Sequence, residues 1–130
     1  MDKQREIKFR GLTVGLKWEY GYMCIPEYGK YAGMSFILNK AGHLAYDVRP
    51  ETLGQFTGLL DKQGKEIYEG DIVIGFCTSN HPAIIEWDAP NGGYNIREQD
   101  GEYQDIDSNT RMEVIGNIYE NPELLWKKNE

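Results

Sequence analysis

Cys24, Cys77, His43 and His81 are the only soft metal ligands in the chain. Cys77 and His81 stand at a spacing that suits half of a zinc site. Completing it would need Cys24 and His43 to converge from distant segments, and the close C-x2-C pairing of structural zinc sites is missing. A small buried thiol and a loop histidine are the plainer expectation. Asp105, Asp107 and Asn109 alternate as in a calcium loop, but Thr110 stands where the turn glycine belongs and Gly116 where the bidentate glutamate belongs. That stretch reads as an acidic surface loop, so no metal is expected.

Nucleophilic chemistry finds no better footing. Neither Ser35 nor Ser79, which lies near His81, sits in a G-x-S-x-G elbow. Cys77 next to His81 could be an activated thiol, but on a strand end the two side chains need not face each other. Glu69 and Asp71 flank Gly70 and read as turn residues rather than a carboxylate dyad. No P-loop and no G-x-G-x-x-G occurs, so phosphate cradling of those kinds is excluded. The expectation is a chain without catalytic residues and without a cofactor.

Aromatic side chains offer the better lead. Trp18, Tyr20, Tyr22, Tyr28 and Tyr31 crowd one short region beside Lys17 and Lys30. Exposed, they could stack on nucleic-acid bases or grip a peptide. The competing reading puts them under a sheet, since aromatics on strands usually pack. These five are the candidate binding residues.

The elements that would position them read as strands. Short segments of period two alternate with turn residues: Ile7 to Phe9, the run 16–25 closed by Pro26, then 31–38 and 43–48. Asn39-Lys40-Ala41-Gly42 suits a hairpin turn. Beyond Pro50, segments 53–59 and 65–69 flank the turn Asp61-Lys62-Gln63-Gly64, and Glu69-Gly70-Asp71 launches the apolar run 72–77. Segments 83–87 and 94–98 face each other across Ala89–Gly93, and 111–119 is the last strand. Asn121, Pro122 and Glu123 have the chemistry of a helix start, so a short C-terminal helical turn is expected, with Leu124, Leu125 and Trp126 closing one end of a barrel.

Three stretches carry a family resemblance: "REIKFRG" (5–11) followed by "WEYGY" (18–22), "ETLGQFTGLLDKQGKEIYEGDIV" (51–73) and "EVIGNIYENPELL" (113–125). In this order they resemble the YopX family of phage and prophage proteins, nearly from end to end. Segments 26–49 and 98–109 carry no fixed pattern of that family. The resemblance implies an SH3-like β-barrel encoded by a mobile genetic element. It brings no catalytic residues to carry over. The expected architecture is mainly β: an SH3-like small β-barrel over residues 51–130, with an additional N-terminal β region over 1–50.

Composition sets the remaining bounds. The chain has 130 residues, 40% of them hydrophobic, enough for a core without metal or disulfide support. Two cysteines are too few for a disulfide framework, and the charged start MDKQREIKFR has no apolar signal core. No run is long and apolar enough for a membrane span. A reducing bacterial cytoplasm, free thiols and no membrane partner are expected. Net charge is −7, split as +3 over residues 1–50 and −10 over 51–130. We therefore expect a non-enzymatic protein-interaction module with a host or phage protein as its partner. The first alternative is a nucleic-acid-binding small barrel that uses the basic, aromatic N-terminal region, against which the overall acidity counts. The second is an acidic mimic of DNA led by Glu98, Asp100, Glu102, Asp105 and Asp107. Edge strands also leave room for a homo-oligomer.

Overall fold

In the computed structural model, residues 6–39, 44–75, 78, 81–99, 103–106 and 111–125 are described, residues 103–105 by their backbone alone. The chain is mainly β and divides into two compact units, Met1–Phe56 and Thr57–Glu130.

The first unit is an antiparallel sheet in the order β4-β3-β2-β1-β5. Its strands are β1 (Phe9–Leu12), β2 (Trp18–Cys24), β3 (Phe36–Leu38), β4 (Ala45–Asp47) and the start of β5 (Gly54–Leu60). Ile7 precedes the first strand, and the run expected over 31–38 shortens to three residues. The turns around Gly29 and Gly33, which bond Ala32 N–H to Gly29 O and Gly33 N–H to Pro26 O, occupy its first half. Lys40–His43 lie outside the described residues, while β3 and β4 on either side pair antiparallel through Phe36↔Asp47 and Leu38↔Ala45. Among the described residues of this unit, Leu12, Ile37, Val48 and Phe56 are the buried hydrophobic ones.

A 3-10 turn at Pro50–Thr52 is stitched to β1. Leu12 N–H donates to Thr52 Oγ1 at 2.9 Å, the Thr52 hydroxyl donates to Arg49 O at 2.6 Å, and Arg49 N–H donates to Leu12 O at 2.9 Å. Thr52 is buried, so Thr52→Val keeps the shape but strands an amide donor. We expect it to cost about 1–3 kcal/mol in urea unfolding, with Thr52→Ser recovering most of the loss.

The second unit holds the rest of β5, then β6 (Glu66–Tyr68), β7 (Asp71–Gly75), β8 (Ala83–Asp88), β9 (Gly93–Glu98), β10 (Tyr103–Asp105) and β11 (Met112–Asn117). Its main sheet runs β10-β9-β8-β7-β11, with all pairs antiparallel. Ile67, Val73, Ala83, Ile85, Ile96, Met112 and Val114 form its core. Gly64 closes the β5–β6 turn with φ 88°, a conformation that a side chain disfavours, and its N–H bonds Asp61 O at 3.0 Å.

The expectation of a closed barrel changes here. The sheet is open: among the described residues, β10 and β11 are its two edges and do not pair with each other. The outer edge of β11 is met by the β5–β6 turn, where Lys62 N–H donates to Met112 O at 2.9 Å and Val114 N–H to Asp61 Oδ2 at 3.0 Å. A turn and a carboxylate take the place that a closing strand would occupy. The chain then ends its described part in a single 3-10 turn, Pro122–Leu125, with no residue of it fully buried. Asn121 Oδ1 accepts from Asn117 N–H at 3.1 Å, and its carbonyl accepts from Leu124 N–H at 3.0 Å. Trp126 lies outside the described residues. The sequence reading also missed β10, whose residues sit in the stretch taken for an acidic loop.

Candidate interaction surface

Trp18, Tyr20 and Tyr22 alternate along β2 and so share one face of the sheet. Register places Arg10 of β1 opposite Tyr20, and Leu38 and Phe36 of β3 opposite Tyr22 and Cys24. The Arg10 guanidinium lies 4.4 Å from the centre of the Trp18 ring. Arg10 is itself buried, so the pair is a cation–π contact inside the unit that holds Trp18 half-buried. Tyr20 and Tyr22 are 46% and 50% exposed.

The loop after β2 supplies the other two tyrosines. Tyr31 packs edge-on against Phe36, ring centres 6.0 Å apart, with the Lys30 ammonium 5.5 Å from its own ring centre. Through Phe36, Tyr31 joins the face that carries Tyr22, and half of it remains exposed. Tyr28 stands out furthest, at 83% exposure. Sequence reasoning missed further exposed apolar residues in this region: Met23, Ile25 and Met34. Their unbranched or apolar character was visible, but alternation alone does not say which face of a sheet is left uncovered.

The cationic side chains nearby are already engaged. Lys17 Nζ lies 3.6 Å from Glu19 Oε2 and Lys8 Nζ 3.7 Å from Glu6 Oε2. Lys8 also sits 5.4 Å from the Phe56 ring centre. Such exposed pairs hold little energy, but they lower the net positive field that a phosphate backbone would meet.

The other sequence candidates separate. Cys24 is a free, half-buried thiol on β2, and His81 is exposed. Cys77, His43 and Ser79 lie outside the described residues, and among the described residues no three His, Cys, Asp or Glu side chains gather as a metal group. Ser35 is buried, and its carbonyl accepts from Val48 N–H at 3.0 Å. Asp71 opens β7 directly after the Glu69-Gly70 turn and is buried, with Oδ2 accepting from Tyr68 N–H at 2.7 Å. Of the acidic set, Asp100, Glu102 and Asp107 lie outside the described residues, and the side chain of Asp105 is likewise not described. No helix among the described residues is long and apolar enough to cross a membrane.

A family model described as YopX protein matches residues 17–126, which include all of β2 to β11 and all five candidate aromatics. The chain belongs to the YopX family. No curated protein matches it. This YopX-family chain is similar in structure to protein EF1440 from Enterococcus faecalis, known from a crystal structure. The TM-score is 0.55 and the identity 22%, over 94% of this chain and 99% of that one. At that identity the likeness concerns the fold.

Proposed function

We propose that this YopX-family chain is a non-enzymatic protein-interaction module whose N-terminal unit presents the binding face. The supporting observation is the exposure of Tyr20, Tyr22, Tyr28 and Tyr31 together with Met34, whose N–H bonds Tyr31 O at 3.1 Å. Tyrosine and methionine are enriched at protein interfaces: the first offers a rigid amphipathic ring, the second an adaptable apolar chain. A patch of such residues on a small unit marks an interaction site more often than an idle surface. The partner is a host or phage protein met in the cytoplasm of the bacterium that carries the element. In the same reading the second unit is an opened variant of the SH3-like small barrel, and the first is an added β region.

The engaged lysines and the buried Arg10 favour a protein partner over nucleic acid. A single-stranded oligonucleotide titrated at low salt is therefore expected to show no saturable binding. The positive arm uses the full chain as bait with Tyr22→Ser/Tyr28→Ser beside it. A protein retained by the parent chain, purified and titrated back, should bind the double variant at least about tenfold more weakly, with the variant's unfolding midpoint unchanged. Equal affinity for both chains would remove the proposal.

A further inference from the structure

The turn between β8 and β9 holds the one Asn-Gly dipeptide of the chain, Asn91-Gly92. Such a pair is chemically labile, because glycine has no side chain to keep its nitrogen away from the preceding carboxamide. The fold asks for both residues. Gly92 closes the turn with φ 69°, a conformation that a side chain disfavours. Asn91 is exposed, and its Nδ2 donates to Asp88 Oδ2 at 2.7 Å.

Asp88 ties down both reacting groups. Its main-chain carbonyl accepts from Gly92 N–H at 2.8 Å, and its carboxylate holds the Asn91 amide. Attack by the Gly92 nitrogen on Asn91 Cγ requires the first bond to break and the carboxamide to swing off the second. The same carboxylate oxygen accepts from Asn95 Nδ2 at 3.1 Å. Asn95 is 4% exposed, and its Oδ1 has no hydrogen-bond partner among the described residues. The bond to Asp88 therefore links the exposed turn to a buried side chain of β9.

We infer that Asn91 is a slow, irreversible modification site that Asp88 holds closed and whose reaction reaches the buried Asn95. When the turn opens, the Gly92 nitrogen bonds to Asn91 Cγ and gives up its proton. The Cγ–Nδ2 bond breaks, and ammonia leaves. Water then opens the resulting succinimide at either carbonyl, to aspartate or to isoaspartate. Water is the only reagent consumed. Either product puts a negative charge beside the Asp88 carboxylate, where the parent chain has a donor. Repulsion draws Asp88 away from Asn95, and the buried amide loses an acceptor. Isoaspartate also lengthens the main chain between Asp88 and Gly93, the last pair of the hairpin. The site is separate from the N-terminal aromatic face and does not depend on it.

The test is peptide mapping by mass spectrometry of the full chain, incubated in mildly alkaline buffer at physiological temperature. It reads asparagine, aspartate and isoaspartate at residue 91. The folded parent should convert at least about tenfold more slowly than the same chain in guanidinium chloride, since the reaction needs local opening. Asp88→Ala should speed conversion in the folded chain about fivefold. Asn91→Asp installs the product charge directly. Its unfolding midpoint should fall below that of Asn91→Ala, which loses the donor without gaining a charge. Conversion of the folded parent at the unfolded rate, a folded Asp88→Ala chain that converts no faster than the parent, or an Asn91→Asp chain as stable as Asn91→Ala would overturn the inference. If Asp88→Ala does not fold, the other two comparisons decide the matter.

Discussion

Asp61→Ala is expected to lower the unfolding free energy by about 2–4 kcal/mol, one of the largest single-residue losses outside the core. Asp61 is only 6% exposed, and its carboxylate joins two parts of the second unit. Oδ1 accepts from Gln63 N–H at 2.8 Å and Lys65 N–H at 2.9 Å, shaping the β5–β6 turn. Oδ2 accepts from Val114 N–H on the outer edge of β11. Alanine leaves the buried Val114 donor without a partner and loosens the turn that covers that edge. Asn can keep the turn bonds, but its amide group would face the Val114 donor, so Asp61→Asn should recover only part of the loss.

The same carboxylate makes stability depend on pH. Burial pushes the Asp61 pKa up, but the backbone donors of Val114, Lys65 and Gln63, with the Lys65 ammonium, outweigh it and leave it below 3.8. A depressed folded value means that the unfolded chain binds the proton more readily. The contribution is thus complete above the ordinary aspartate range and fades as pH falls through the depressed value. Urea titrations of the parent and Asp61→Ala chains at neutral pH and in acid should show the gap between them narrowing in acid. A gap that stays constant would contradict this role.

Gly21→Ala should cost about 3 kcal/mol or more, and the loss should fall on the first unit. Gly21 sits in mid-β2, opposite Phe9 of β1. A Cβ there would run into the carbonyl oxygen of Leu38, a backbone atom on β3 that cannot swing aside. Accommodation requires β3 to move, which breaks the Tyr22↔Leu38 register under the exposed tyrosines. Gly93→Ala is the control: its Cβ would meet nothing within 4 Å, and a change within about 0.5 kcal/mol is expected. Thermal unfolding of the two variants beside the parent checks both.

Much of the fold was legible because local chemistry and tertiary structure agree. Asp61-Lys62-Gln63-Gly64 has the polar and glycine residues that its turn demands, and the apolar run from Ile72 has no polar face to offer solvent. Strand β10 was hidden because Tyr103–Asp105 has no apolar alternation, its place being fixed by pairing with β9 through Gln104↔Ile96. The open sheet was equally out of reach, since a hairpin pattern does not say what meets the last edge. For the candidate site, alternation put Trp18, Tyr20 and Tyr22 on one face but was silent on cover. Arg10 is buried against Trp18, while Tyr20, Tyr22, Tyr28 and Tyr31 remain exposed. Which of two faces meets water depends on the rest of the chain rather than on the period of the strand.

Tyrosine acetylation by N-acetylimidazole, read residue by residue by mass spectrometry, tests most directly whether the N-terminal aromatics are a binding face. In the free chain Tyr20, Tyr22, Tyr28 and Tyr31 should react readily while Tyr68, at 2% exposure, stays unmodified. Once the captured partner is bound, the same four should be protected. Inert tyrosines in the free chain, or equal labelling with the partner in place, would contradict the account.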